Sequence, residues 1–250
     1  MLTLLLLVIL TALVFEFING FHDTANSIAT VVATKVMTPL QAVAMAAVMN
    51  LIGAFAGTAV AKTISSGLVN SDVVHMSSQI LICALVGGIV WNLITWWRGM
   101  PSSSSHALIG GLCGAALAAA DNNFNALIWA KSGESFSKNS GIFWKVVMPM
   151  VTSPAAGFLL GLLIMGALMA LLSSMNNAGG WLSRISRPRW VNAFFGKAQI
   201  LSAGYMGFAH GTNDAQKTMG VIALALFAAQ TDGTLDQLPS WLGFMHPDGG

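Results

Sequence analysis

Phe17-Ile18-Asn19-Gly20-Phe21-His22-Asp23-Thr24-Ala25-Asn26 interrupts an otherwise apolar N-terminus, and a relative of it returns at Phe208-Ala209-His210-Gly211-Thr212-Asn213-Asp214. Both copies read Phe-x-[Asn/His]-Gly-x-[His/Asn]-Asp, with glycine three residues before the acid. The surroundings are greasy: 8% of the 250 residues are charged, 55% are hydrophobic, and the mean hydropathy is +0.72. A soluble domain of this size carries about a quarter charged residues, so the expected solvent is lipid. Several apolar runs approach the roughly 20 residues a helix needs to cross a bilayer. The fold expected is an all-α polytopic membrane protein.

Within such a helix, a polar stretch broken by glycine predicts an interruption. Helix one is expected over about Leu2–Ile18, with a pause at Asn19–Asp23 and a second half from Thr24 to Ala33. A break strands backbone N–H and C=O groups at several kcal/mol each in hydrocarbon, tolerable where protein, water or ligand satisfies them. The half-helix starting near Thr24 would aim free N–H groups and a positive dipole end at an anion. Facing carbonyls and the Asp23 carboxylate would suit a small cation. Discontinuous helices in paired repeats point to a transporter binding site, and intramembrane acids such as Asp23 and Asp214 are functional by default. A plain loop with Asp23 as an N-cap is the alternative; the recurrence of the motif weighs against it.

Further spans are expected at Leu40–Val60, at Gln79–Trp97 with its belt of Trp91, Trp96 and Trp97 beside Arg98, at Ala107–Ala120, at Ile142–Leu172 punctuated by Pro149 and Pro154, and at Ala198–Ala229. Polar connections are read at 65–78 and 121–140. Gly157, Gly161 and Gly166 suit close helix packing in lipid. Met1–Phe17 reads as a retained helix, since it lacks a basic leader and a cleavage pattern. Cys83 and Cys113 suggest neither a metal site nor a disulfide, and no basic block suggests nucleic acid.

With the N-terminus outside, Lys35, Arg98, Arg184, Arg187, Arg189 and Lys197 fall inside, against Lys62, Lys131, Lys138 and Lys145 outside, the bias the positive-inside rule asks for. Five crossings would then precede the second motif, so the two motif helices run in opposite directions, as an inverted repeat requires; re-entrant hairpins at the proline-punctuated segments would change the count. The chain divides into a first repeat over 1–172, a basic and cytoplasmic connection over 173–197, the start of a second repeat over 198–229 and a polar tail over 230–250.

Pro101-Ser102-Ser103-Ser104-Ser105-His106 supplies hydroxyls at a helix N-terminus, where an oxyanion would sit, or simply caps that helix. His106 can take up a proton near neutral pH or bond a carbonyl structurally. Glu16 lies a turn or two before the break, as a neutraliser of a cation, a proton carrier or a structural partner. Lys217, one turn past Asp214, pairs with that acid or with a bound anion. Asn50 and Asn92 read first as hydrogen-bonding glue between helices. Ser105-His106 are sequence neighbours without an oriented acid, so no enzyme is read here.

Together the two Asp motifs and the serine motif resemble signatures of the inorganic phosphate transporter (PiT) family, and Phe21-His22-Asp23-Thr24-Ala25-Asn26 resembles its bacterial low-affinity permeases. The resemblance covers nearly all of residues 10–230. It implies an inverted-repeat secondary transporter of the bacterial inner membrane, multi-pass, moving phosphate in symport with a cation, the proton ahead of Na⁺, with a neutral complex of phosphate and a divalent metal as one form of substrate. No cofactor is expected besides the coupling ion, H⁺ or Na⁺. Carried over, Asp23, Asn26, Asn213 and Asp214 become cation and phosphate ligands, and Ser103, Ser104 and Ser105 phosphate donors. The residues' own chemistry adds Thr24 and Lys217 as phosphate contacts, and Glu16 and His106 as groups that handle cation or proton.

Two departures accompany it. The family's second hydroxyl-His motif does not follow before Gly250, so the second repeat reads as truncated, with a partner chain or a homo-oligomer as a source of the remainder. Lys217 also stands where the first motif has Asn26. Sulfate, another tetrahedral oxyanion, and a non-transporting membrane subunit are the competing readings.

Overall fold

The computed structural model describes residues 2–57, 61, 68–100, 102–133, 139–178, 180, 184 and 186–235. Parts of the connections expected at 65–78, 121–140 and 173–197, and most of the tail from 230, lie outside the described residues. Among the described residues, six α-helices carry the fold: α1 (Leu2–Ala33), α2 (Pro39–Ala54), α3 (Ser78–Trp97), α4 (Ser104–Ala119), α5 (Met148–Asn177) and α6 (Pro188–Thr231). A 3₁₀ turn at Phe124–Ala126 and a π-helical turn at Phe143–Val147 lie between α4 and α5.

The helix limits follow local chemistry. Thr38 and Gln41 form a reciprocal capping box ahead of α2, with Pro39 at its first position, where a missing N–H costs nothing. Ser77 and Ser103 cap α3 and α4 through hydrogen bonds accepted from Ile80 N and His106 N. Gly99, at φ +63°, turns the chain out of α3 while Met100 N–H returns to Thr95 O, a left-handed C-terminal closure that glycine adopts without strain. Pro149 sits in the first turn of α5 and Pro154 is absorbed inside it, so neither proline breaks that helix.

Neither motif breaks its helix. α1 runs through Asn19–Asp23 and α6 through His210–Asp214 as continuous α-helix, which corrects the expectation of discontinuous helices. Neither motif contains proline, and a glycine inside a helix costs only about 1 kcal/mol against alanine. Freeing several peptide groups in hydrocarbon costs several kcal/mol each. Continuity wins, and the half-helix N-terminus expected near Thr24 does not form.

α1 and α6 lie side by side in opposite directions. Glu16 meets Thr218, Asn19 meets Asp214, and Thr34 meets Gln199, so one chain ascends as the other descends. Among the buried residues of α1, Leu5, Val8, Ala12, Phe15 and Asn19 fall at alternating spacings of three and four, one face of a helix. Leu5, Val8, Ala12 and Phe15 join Leu81, Leu85, Leu108, Leu112, Val221 and Ala225 in one apolar cluster; Ile28, Val31, Ala42, Ala46 and Ala203 form another. The polar motif residues lie along α1 and α6 between the two.

α2 crosses α6 at backbone distance. A Cβ placed on Gly211 would lie 2.2 Å from Asn50 O, and one on Gly53 would lie 2.2 Å from Phe208 O. Small residues let helices approach this closely where no hydrophobic effect drives them together.

α1, α3 and the π turn with α5 are long and apolar enough to span a membrane; α2 and α4, at 16 residues each, are shorter. No residue of α5 is buried. Gly157, Gly161 and Gly166 face open space, so the packing role expected of them is not met by the described residues of this chain. The apolar surface of α5 is what a helix shows to lipid or to another helix.

Candidate functional site

Because both motif helices are continuous, their polar residues stack on single faces. Glu16, Asn19 and Asp23 follow each other at three and four residues on α1; on α6, Asp214 lies four residues after His210, with Lys217 and Thr218 three and four residues beyond it. Antiparallel packing sets these faces against one another, and the N-terminus of α4 closes the group with Ser104.

Asp214 is the hub. Its Oδ1 lies 2.6 Å from Lys217 Nζ, and its Oδ2 accepts from Asn19 Nδ2 at 3.0 Å. Lys217 Nζ also donates to Ser104 Oγ at 3.4 Å, and Ser104 Oγ donates to Asp23 Oδ2 at 2.6 Å. One hydroxyl and one ammonium therefore bridge carboxylates from opposed helices. His22 Nδ1 reaches the other Asp23 oxygen at 2.9 Å, and the Thr218 hydroxyl donates to Glu16 Oε2. Ser104 and Lys217 are 1% and 4% exposed, so this bridge is shielded from solvent, where charge interactions strengthen.

His210 is fixed in orientation by Asn50. Asn50 Nδ2 donates to Ala46 O at 2.8 Å, leaving Oδ1 to face the ring at 2.8 Å from His210 Nδ1. Nδ1 is therefore the N–H donor. Nε2 lies 2.9 Å from Asp214 Oδ2 yet makes no in-line hydrogen bond. A bare nitrogen lone pair facing a carboxylate is repulsive. The contact becomes attractive when Nε2 also carries a proton or shares a cation with Asp214.

Ligand atoms of Asp23, His210 and Asp214 lie within 4.8 Å of one another, and Asn19 Oδ1 is a buried acceptor with no partner among the described residues. Carboxylate, amide and imidazole donors of this kind fit a small cation.

A cavity of about 670 Å³ adjoins the cluster, with Ser103, Ser105, His106, Lys145, Ser153 and Lys217 among its walls. Ser103, the residue that caps α4 by accepting from His106 N, and Ser105 and His106 of its first turn lie on the cavity wall. Two ammonium groups, three hydroxyls and a helix N-terminus make a setting for an anion.

The structure brings together Glu16, Asp23, Asp214, Lys217 and Ser104, and places Ser103, Ser105 and His106 on the cavity. It does not bring Asn26 or Asn213 to either place: both are exposed, and Asn213 Nδ2 bonds Ala209 O of its own helix. Thr24 is half-buried, and its carbonyl accepts from the Ser27 hydroxyl. Ser104 is engaged by Asp23 and Lys217 rather than turned to the cavity. Four contributors went unassigned in the sequence: Asn19 and His210 lie inside the quoted motifs, Thr218 beyond the second, and Lys145 in the π turn. Helical spacing from Asp23 and Asp214 would have found the first three. Lys145 carries no such signal, although π turns often mark functional positions.

The sequence matches the profile of the phosphate transporter family over residues 19–246. It is 41% identical over 244 residues to a probable low-affinity inorganic phosphate transporter of Bacillus subtilis (strain 168), covering 98% of this chain and 66% of that protein. A probable low-affinity inorganic phosphate transporter of Streptomyces halstedii is 45% identical over 210 residues, covering 84% of this chain and 87% of the relative. Against one from Mycobacterium bovis the identity is 46%, with 94% and 51% covered. The chain thus spans between about half and two thirds of the length of most of the relatives it matches. A solved structure described as the sodium-dependent phosphate transporter superposes with a TM-score of 0.74 at 22% identity, covering 95% of this chain and 70% of that one.

Proposed function

We propose, from the premise that this chain belongs to the phosphate transporter family, that it carries inorganic phosphate across a membrane in symport with a cation. The relatives bear the names of transporters, not enzymes. The observation that carries the reading is the bridge Asp23–Ser104–Lys217–Asp214 beside a largely apolar cavity whose polar wall is Ser103, Ser105, Ser153, His106, Lys145 and Lys217. Phosphate would sit in that cavity, against the N-terminus of α4, Ser103, Ser105, Lys145 and Lys217. Carboxylates at Asp23 and Asp214 repel such an anion in a low-dielectric setting. Positive charge must therefore accompany it, and this physical need couples anion to cation.

The proton is the cation we favour. His210 Nε2 and Asp214 Oδ2 face each other at 2.9 Å with no hydrogen atom committed between them by the Asn50 contact. The solved transporter of like fold is described as sodium-dependent, which makes Na⁺ the competing cation. A phosphate complexed to a divalent metal would enter with its charge already balanced.

Antiparallel α1 and α6, each with an acid in a corresponding motif, support an inverted repeat whose first unit is 1–172 and whose second begins at 198–229, joined by the connection at 173–197. In that arrangement the sites of both motifs meet between the units, as in other transporters of this design.

Purified protein in proteoliposomes is expected to accumulate radiolabelled phosphate faster under an inward proton gradient, and Asp23→Asn to reduce that uptake to background. Uptake indifferent to Asp23→Asn would sink the site assignment. Ser103→Ala with Ser105→Ala should raise the phosphate KM more than it lowers the maximal rate. Sulfate that competes as well as unlabelled phosphate would favour a general oxyanion carrier.

A further inference from the structure

Lys217 and Asn26 occupy corresponding places, three residues past the acid of each motif. Their surroundings differ completely. Asn26 is exposed, whereas Lys217 is 4% exposed, with Nζ 2.6 Å from Asp214 Oδ1 and 3.4 Å from the hydroxyl that donates to Asp23. Its ammonium is thus linked to both motif carboxylates. It sits in the cluster where oxygen and nitrogen ligands of Asp23, His210 and Asp214 converge.

A lysine ammonium is a compact point charge with three donors. Placed between carboxylates, it does the electrostatic work of a bound monovalent ion. Unlike a free ion, it is held by its own chain and cannot leave with the substrate. Glu16, Asp23 and Asp214 supply three carboxylates from α1 and α6; among the described residues, Lys217 is the lysine that contacts them and His22 and His210 are the imidazoles that face them.

We infer that Lys217 is a tethered cation, filling the position between Asp23–Ser104 and Asp214 that a free monovalent cation would otherwise occupy, so that this site holds its oxyanion without bound Na⁺. The inference deepens the symport reading and rests on it for the anion; the cation part rests on the geometry of Lys217 alone. In this account the exchange of Asn for Lys at one motif position decides whether Na⁺ is needed.

The test is ²²Na⁺ binding to purified protein, with thermal unfolding followed in NaCl and in choline chloride. The parent protein should show no saturable Na⁺ binding and the same unfolding temperature in both salts. Lys217→Asn, which restores the residue of the first motif, should bind Na⁺ saturably and unfold at higher temperature in NaCl. Lys217→Arg, which keeps the charge, should behave like the parent. Phosphate uptake by the parent should be indifferent to replacement of Na⁺ by choline, and uptake by Lys217→Asn should rise roughly tenfold with Na⁺, the effect of about 1.4 kcal/mol. Saturable Na⁺ binding by the parent overturns the inference. So does a Lys217→Asn protein that binds no Na⁺ or unfolds alike in both salts. If no form takes up phosphate while the Na⁺ results hold, the transport reading falls and the tethered cation stands.

Discussion

Asp214→Asn is expected to abolish phosphate uptake and to destabilise the protein, because it leaves Lys217 buried without its counter-charge. Lys217 Nζ has Asp214 Oδ1 at 2.6 Å and, among the described residues, the Ser104 hydroxyl as its second partner. Removing one member of a buried pair costs about 3–5 kcal/mol, most of it the penalty on the charge left behind. The same change weakens the anchor for Asn19 Nδ2 and removes the charge facing His210 Nε2. Uptake should fall on the order of 100-fold or more, equivalent to about 3 kcal/mol. A companion variant separates the two effects. Asp214→Asn with Lys217→Met removes both charges, so gel filtration and thermal unfolding should recover toward the parent while uptake stays lost. A double variant as unstable as the single one would show that the pair is not the source of the destabilisation.

Gly211→Ala is the second large effect, and it contrasts with Gly20→Ala at the corresponding position of the first motif. A methyl group on Gly211 would lie 2.2 Å from Asn50 O and 2.6 Å from Asn50 Cα, both backbone atoms that cannot rotate away. α2 must then move off α6, taking with it the amide that holds His210 Nδ1. Overpacking of this kind costs about 1–3 kcal/mol, occasionally more, and here it also misplaces a group beside Asp214. Around Gly20 nothing lies within 4 Å. Since that residue is inside a continuous helix, alanine there should be neutral or stabilising by up to about 1 kcal/mol. Unfolding temperature and uptake, measured for the two variants together, check the contrast. Equal loss in both would mean that the glycines serve a helix break after all.

Much of the candidate site is legible in the sequence. Asp23, Asp214, Glu16 and Lys217 stood out as charges in an apolar chain, and burying a charge in lipid is costly unless it has a partner. The serine motif was legible as a helix start, and Ser103 is that cap. What misled was the glycine in each motif. Polar residues with a glycine suggest a break in water, where freed peptide groups find solvent; within hydrocarbon they do not, and α1 and α6 stay intact. Once the helices are continuous, spacing decides which residues meet. Asn26 and Asn213 fall off the shared face, while Asn19, His210 and Thr218 fall on it.

Composition by itself determined that this chain is a set of lipid-embedded helices, because so few charges and so many long apolar runs leave the backbone no solvent but itself. Motif identity determined the kind of chemistry, acids with hydroxyls and one lysine, since those residues are kept in apolar surroundings only with partners. Only the tertiary structure decided what the differences between the two motifs do. Two glycines allow α2 to press against α6, Asn50 then orients His210, and Lys217 enters the cluster that its counterpart Asn26 does not reach. Those outcomes depend on which helix faces which at contact distance, a property of packing between segments about 160 residues apart that no single stretch of the sequence contains.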